Sequence, residues 1–241
     1  MPRYSELDAR PVRATIQVLG RRIAERFPAS GLLGVAEELL RTADENEALI
    51  ARLRRPIWWL RCASVLGALA LLALVAWAGL QIAQLAGSGH GSLSDILQGI
   101  DAAVNELIFM SIVLFFLVSL EARFKRRRAL RMLHRLRSLA HVVDMHQLTK
   151  DPGPALGQVQ PTPSSPERTL SRPQLIRYLD YCSELLSLIS KLAALQAQYL
   201  QDAVVLEAVT EIESLGAGLS GKIWQKIGIL NAGASRSTSI G

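Results

Sequence analysis

The sequence predicts an all-α membrane protein: a two-helix transmembrane hairpin with helical cytoplasmic regions on its N-terminal and C-terminal sides. Three observations support this prediction. Two long apolar runs lie at 63–86 and at about 107–120, no lysine or arginine occurs between 62 and 122, and basic clusters border both runs on their outer sides. The composition is 50% hydrophobic but only 5% aromatic, which favours helices over sheets.

The first transmembrane helix is predicted at 57–86. A bilayer core of about 30 Å requires about 20 apolar helical residues, and this segment is long enough. Pro56 suits the first turn of the helix, where its missing N–H costs nothing. Trp58 and Trp59 lie where the helix meets the lipid headgroups, the position that interfacial aromatic residues prefer.

Small residues recur along this first span at four-residue spacing. Such residues let another helix approach closely, and in lipid this packing is a main source of helix association. The partner is either the second span or a second copy of the chain. The small residues are Ala63, Gly67, Gly79 and Ala83.

The second transmembrane helix is predicted at 105–122, after a short extracytoplasmic connection at 87–104. The connection starts with a glycine-rich turn and continues as a short interfacial helical segment. Asp95 and Asp101 lie within it, and it has no basic residue. The apolar part of the second helix is shorter than that of the first, and it reaches about 20 residues when 102–104 are counted.

The distribution of charge predicts the orientation. Positive residues beside membrane spans stay on the cytoplasmic side, so both termini are expected in the cytoplasm, with a bacterial inner membrane as the location. The net charge of +6 is concentrated beside the spans, which indicates anionic lipid headgroups as the partner and not nucleic acid. The residues predicted to contact headgroups are Arg54, Arg55, Arg61, Arg123, Lys125, Arg126, Arg127 and Arg128.

The N-terminal cytoplasmic region, 1–56, shows the apolar spacing of amphipathic helices. One helix is predicted at 9–27, ending before Pro28, and a second begins after Ser30. Thr42, followed three residues later by Glu45, matches a capping box and predicts a third helix start. These helices form a small bundle, or one of them lies on the membrane surface with its arginines on phosphates.

The basic segment 123–150 is predicted to continue the second span into the cytoplasm as one helix, because it contains no Gly or Pro. It holds the only cluster that could carry chemistry, and the candidate metal ligands in it are His134, His141 and Asp144. One straight helix cannot bring three ligands to within about 2 Å of a metal. Structural roles are therefore favoured, and no metal, cofactor or enzymatic activity is expected.

A Pro-rich linker is predicted at 151–172, followed by a C-terminal helical hairpin at 173–230 and a disordered tail at 231–241. Ser171 starts the first helix of the hairpin and Asp202 the second, and a glycine-rich stretch beginning at Gly216 interrupts that second helix. Two amphipathic helices of this length expose enough apolar surface to require a cytoplasmic partner or a second protomer. Cys62 and Cys182 are too isolated to suggest a disulfide or a zinc site.

These features favour a membrane-anchored helical interaction or scaffold protein that self-associates or binds through its C-terminal helices. The layout resembles that of many bacterial inner-membrane proteins, including two-span effector modules proposed to form pores, but no residue carries over. The alternative is a subunit of an oligomeric pore, and a metal-dependent enzyme using the His/Asp cluster ranks last. The pore would be lined by Asn105, Glu106, Ser111 and Ser119.

Overall fold

Helix-forming residues and a few well-placed breakers divide the chain into six helices in the computed structural model, which describes residues 6–87, 93–153, 163 and 170–238. Helices account for 89% of these residues, and none of them forms a strand, so the all-α prediction is confirmed for this part of the chain. The helices are α1 (Ala9–Arg26), α2 (Gly31–Leu53), α3 (Trp58–Gly87), α4 (Leu93–Leu148), α5 (Arg172–Tyr199) and α6 (Ala203–Thr238).

The N-terminal region forms two helices and not three. Asp8 caps α1 by accepting a hydrogen bond from the Arg10 amide at 3.1 Å. The helix start predicted at Thr42 is wrong, because α2 runs through this position without a break. Thr42 is buried, and its hydroxyl donates to the Glu38 carbonyl at 2.8 Å, a local bond that a threonine forms inside a helix.

Helix α4 is longer than the predicted second span and its cytoplasmic extension. It starts at Leu93, so most of the predicted connection at 87–104 is helical, whereas the glycine-rich turn at 88–92 lies outside the described residues. Gly99 does not break the helix, since one glycine costs only about 1 kcal/mol relative to alanine. The predicted continuity from the apolar run into the basic segment is confirmed up to Leu148.

The C-terminal helices start at the predicted caps but end differently. Gln174 accepts a hydrogen bond from the Ser171 amide at 2.8 Å, and Asp202 accepts from the Val204 amide at 3.1 Å. The predicted interruption after Gly216 is wrong, because α6 continues to Thr238 and therefore also includes most of the predicted disordered tail. The Pro-rich linker lies largely outside the described residues.

The helices group into two units. The first, called the bundle unit below, consists of residues 1–54 and 128–241, and the second, the apolar unit, of residues 55–127. The N-terminal and C-terminal regions, predicted as separate pieces, therefore share one unit. In it, α5 packs against α6, α1 and α2, and Phe27 contacts Tyr178 edge-on with ring centroids 5.4 Å apart.

The core of the bundle unit is built from apolar side chains of all its helices. Ile16 and Leu39 are fully buried on α1 and α2, and Leu136 is fully buried on α4. Leu185 on α5 and Val205 on α6 complete the same cluster. Part of the apolar surface that the C-terminal helices were expected to offer to a partner, on α5, is thus covered by the N-terminal helices of the same chain.

The apolar unit has the opposite character. Its two helices are long and apolar enough to cross a membrane, and no residue in the most apolar 18-residue window of either is buried within the protein. Leu72 and Phe109 show the pattern, with 65% and 66% of their surface exposed. Such continuous exposure of large apolar side chains is far greater than a monomeric protein in water shows.

Candidate functional site

Among the described residues of the apolar unit, α3 and α4 approach each other closely at a small residue that the sequence singled out. A Cβ atom placed on Gly67 would lie 3.5 Å from Leu114 and 3.8 Å from Leu117. Ala63, one turn earlier, is half-buried, whereas Ala83 is exposed. Gly67 therefore lets the two helices meet at this level.

Gly79 has a different environment. A Cβ atom placed there would meet no atom within 4 Å, so this glycine makes no close helix contact within the chain. It lines an open apolar groove of about 550 Å³ that Gly99, Ala103 and Glu106 of α4 also line. The two predicted pairs of small residues thus differ, because only the pair containing Gly67 lies at a helix contact.

Glu121 organises the polar end of the apolar unit. Its carboxylate forms ion pairs with Lys125 at 2.8 Å and with Arg61 at 3.3 Å, and it accepts a hydrogen bond from the Ile57 amide at 3.4 Å. Arg61 and Lys125 were predicted to contact headgroups, but both already have an acidic partner. The sequence signal for this role is that Glu121 is the only acidic residue between 107 and 143.

The other predicted headgroup residues lie in three environments. Arg54 stacks on the Tyr199 ring at 4.2 Å, and Arg123 lies 5.7 Å from the Phe116 ring, so both guanidiniums rest against an aromatic face. Arg126 is half-buried. The remaining residues, exposed to the surroundings, are Arg55, Arg127 and Arg128.

The two adjacent tryptophans at the start of α3 are also exposed. Trp58 and Trp59 have 71% and 66% of their surface uncovered. Tryptophan has a large apolar ring and one N–H donor, a combination that suits the boundary between hydrocarbon and headgroups. Their exposure beside an apolar helix is compatible with the predicted interfacial position.

The His/Asp cluster does not converge. His134 and His141 are exposed on α4, and the Asp144 carboxylate accepts a hydrogen bond from Gln147 at 2.6 Å. The His146 ring packs where a side chain on Gly31 would lie, at the start of α2. Within the described ranges, no three His, Cys, Asp or Glu side chains are placed to hold a metal ion.

Two buried polar contacts in the bundle unit were not predicted. Gln196 donates to the Asn46 side-chain oxygen, and Asn46 donates to the Leu192 carbonyl at 3.1 Å, which links α2 to α5. Lys226 on α6 donates to the Gln147 carbonyl and side chain at 2.9 and 2.7 Å, and burial lowers the pKa of this amine. Both contacts fix the register of helices and point to no reaction.

No protein family, curated protein or solved structure matches this chain. The candidate site is therefore described from its own residues. It consists of two exposed apolar helices that are long enough to cross a membrane, with arginines beside them.

Proposed function

We propose that this chain is a two-span integral membrane protein that anchors a helical interaction module to the cytoplasmic face of a bacterial inner membrane. The observation that carries the proposal is the exposure of α3 and the first half of α4, whose most apolar windows have no buried residue. A bilayer would cover these surfaces, because lipid chains are as apolar as the side chains they contact.

The contacts within the apolar unit support a hairpin. Arg61 meets Glu121, Gly67 meets Leu114 and Leu117, and Gly79 shares its groove with residues near Ala103. Residues further along α3 contact residues nearer the start of α4, which is the order of contacts in an antiparallel pair of helices. With a connection this short, both ends of the hairpin lie on one side of the membrane.

The orientation follows from charge. Beyond its two apolar helices the chain carries arginines on the outer side of each, and the connection between them carries acids but no basic residue. This asymmetry retains the bundle unit in the cytoplasm. The exposed Arg55, Arg127 and Arg128 then lie at the level of anionic headgroups, where each contributes about 1 kcal/mol.

The bundle unit supplies the interaction module. Its core is filled from within the chain, but several large apolar side chains remain on its surface, including Met145 at 64%, Trp224 at 58% and Leu148 at 56% exposure. Tryptophan and methionine are enriched at protein interfaces. We therefore propose the surface of the assembled bundle, rather than an isolated C-terminal hairpin, as the region that a partner or a second copy contacts.

A pore is the weaker proposal because the polar residues predicted to line it do not share one face of α4. At 100° per residue, Asn105, Glu106, Ser111 and Ser119 spread over roughly 220° of the circumference of α4. Ser119 also donates to the Phe116 carbonyl at 2.8 Å, so its hydroxyl is satisfied within its own helix. A water-filled path requires polar side chains that share one face.

The proposal is tested with the full-length chain in bacterial cells. A fluorescent protein fused after Gly241 is expected to fluoresce, and alkaline phosphatase inserted after Gly89 is expected to be active, because the first reporter folds in the cytoplasm and the second only outside it. The chain is expected to remain in the membrane pellet after carbonate extraction. The matched control is phosphatase fused after Gly241, which should be inactive.

The interaction module is tested on the same full-length chain, by cross-linking in intact membranes followed by mass measurement. Replacing Trp224 and Met145 by glutamate should remove the cross-linked species, whereas glutamate at Thr210 and Gln225, which are also exposed, should not. Carbonate release of the chain, or active phosphatase at its C-terminus, would overturn the membrane assignment. Unchanged cross-links in the Trp224 and Met145 variant would overturn the proposed interaction surface.

A further inference from the structure

A pocket of about 420 Å³ lies in the bundle unit between α2 and α4. Seven residues separate Glu45 from Arg52 on α2 and Arg128 from Arg135 on α4, so each pair lies on one helix face, two turns or about 10 Å apart. The pocket is lined by Glu45, Ala48, Leu49, Arg52, Arg128, Arg131, Met132 and Arg135.

One end of this pocket is neutralised. Arg135 forms ion pairs with Glu45 and, at 3.5 Å, with Glu38. The hydrogen bond that Arg135 donates to Glu45 raises the pKa of Arg135, so this guanidinium is charged and has an acidic partner. Arg135 and Glu45 therefore hold α2 and α4 together and leave little charge at this end of the pocket.

The rest of the pocket is strongly positive. Arg52, Arg128 and Arg131 line it, and among the described residues no carboxylate forms an ion pair with any of the three. Three guanidiniums around one pocket repel each other unless an anion lies between them. The planar fork of arginine matches phosphate oxygens two at a time, which makes phosphate the best complement.

The sequence position of the arginines and the apolar lining of the pocket indicate which class of phosphate compound fits it. In the sequence, Arg128 follows the apolar run of α4 by eight residues, and Arg52 precedes Trp58 by six residues. Ala48, Leu49 and Met132 add an apolar part to the lining of the pocket. A phospholipid presents this combination, with charged phosphates above glycerol and acyl carbons.

We propose that this pocket binds an anion that carries two phosphates, and that a phospholipid with a two-phosphate headgroup, such as cardiolipin, supplies it. Three cations exceed the single charge of one phosphodiester, so two phosphates balance them better. The lipid source rests on the membrane location proposed above, whereas the two-phosphate chemistry rests on the pocket alone. This site differs from the general headgroup contacts because α2 and α4 both contribute to it.

The experiment measures binding to the full-length protein in a nonionic detergent, using native mass spectrometry with cardiolipin or phosphatidylcholine and calorimetry with sodium pyrophosphate. Replacing Arg52 and Arg131 by glutamine leaves the Arg135–Glu45 pair intact. We expect this variant to bind cardiolipin at least about 20-fold more weakly than the parent, since two charged phosphate contacts are lost. Replacing the exposed Arg10 and Arg21 by glutamine removes the same charge and should leave binding unchanged.

The three ligands and the two double variants distinguish a lipid ligand from a soluble anion and from nonspecific binding. Cardiolipin binding that phosphatidylcholine and pyrophosphate do not reproduce supports the lipid as ligand, and pyrophosphate binding lost in the Arg52 and Arg131 variant supports a soluble two-phosphate anion at the same site. Equal binding of both lipids, or equal loss in both variants, overturns the proposal. Circular dichroism checks that the variants are folded. Carbonate extraction tests membrane anchoring separately, so a failure there leaves the pyrophosphate arm valid.

Discussion

Cys182 shows how burial in the bundle core changes the chemistry of a single side chain. The thiol has no exposed surface, and burial raises its pKa from 9.0 to about 12, although the nearby Lys226 and Lys150 act in the opposite direction. A thiolate forms in the unfolded chain near pH 9 but not in the folded one. The contribution of this group to stability is therefore complete below pH 9 and is lost as the pH rises towards 12.

We expect the free energy of unfolding to fall between pH 9 and 11 with an extra slope of up to about 1.4 kcal/mol per pH unit from this one thiol. The measurement is denaturant unfolding of the full chain in detergent, followed by circular dichroism, in a Cys62→Ala background. Cys182→Ala should lack the extra slope while retaining the contribution of Tyr178, whose pKa burial also raises. Parallel pH profiles for the two variants would contradict this expectation.

Asn46 and Gln196 show why the environments of some side chains could not be predicted from the sequence. Both are polar, and an amphipathic pattern assigns polar residues to the solvent side, yet both are at most 1% exposed. Gln196 donates to the Asn46 side-chain oxygen across α2 and α5, and Asn46 donates to the Leu192 carbonyl of α5. The side-chain oxygen of Gln196 has no partner within the described residues, so this link restricts the packing register more than it adds stability.

At the scale of the helix, Gly67 and Gly79 form a matched pair on α3. A Cβ at Gly67 would touch Leu114 and Leu117 at ordinary contact distance, so alanine fits there but a longer side chain does not. At Gly79 no atom lies within 4 Å. We expect Gly67→Leu to destabilise the pairing of α3 and α4 by about 1–3 kcal/mol, as overpacking usually does, and Gly79→Leu to have little effect.

The measurement is thermal unfolding of each variant in the same detergent, with Gly67→Ala as the conservative control. Gly67→Ala should unfold close to the parent temperature. A larger loss of stability in Gly79→Leu than in Gly67→Leu would contradict the assigned helix contact and would show that the groove beside Gly79 closes on another helix.

Element boundaries were predicted well where a side chain or a proline determines them and poorly where only a pattern was available. Asp202 caps α6 as predicted because its carboxylate satisfies a free backbone amide, and Asp8, which was not predicted, caps α1 in the same way. Gly216 does not end α6, and a Cβ atom there would lie 2.6 Å from the Ser190 hydroxyl of α5. The glycine therefore lies at a close approach of two helices, which the local sequence does not reveal.

At the scale of the whole molecule, both ends of the chain build one unit. The helices α1 and α2 pack against α5, and ion pairs join the N-terminal helices to the others, such as Arg22 with Glu184 at 3.2 Å. Periodicity identified the apolar face of each of these helices, but it carries no information about which face packs on which. The sequence therefore predicted two separate helical pieces where the structure has one unit.

This shared core predicts that the C-terminal helices do not fold without the N-terminal ones. Removing residues 1–54 uncovers the face of α5 that α1 and α2 bury and leaves Tyr181, which is 1% exposed, without its Phe27 contact. The rate at which Cys182 reacts with maleimide, in a Cys62→Ala background, measures how much of the core's protection of this thiol is lost. A destabilisation of more than about 3 kcal/mol would raise the labelling rate at least about 100-fold.

The control is a chain that lacks residues 233–241, which include no described buried side chain, and it should protect Cys182 as well as the parent does. A separately expressed fragment of residues 1–54 should restore protection to the shortened chain, because the two pieces meet across a continuous apolar core and not through a covalent constraint. If Cys182 stays protected in the shortened chain alone, then α4, α5 and α6 form a complete core by themselves, and the N-terminal helices are an addition to it.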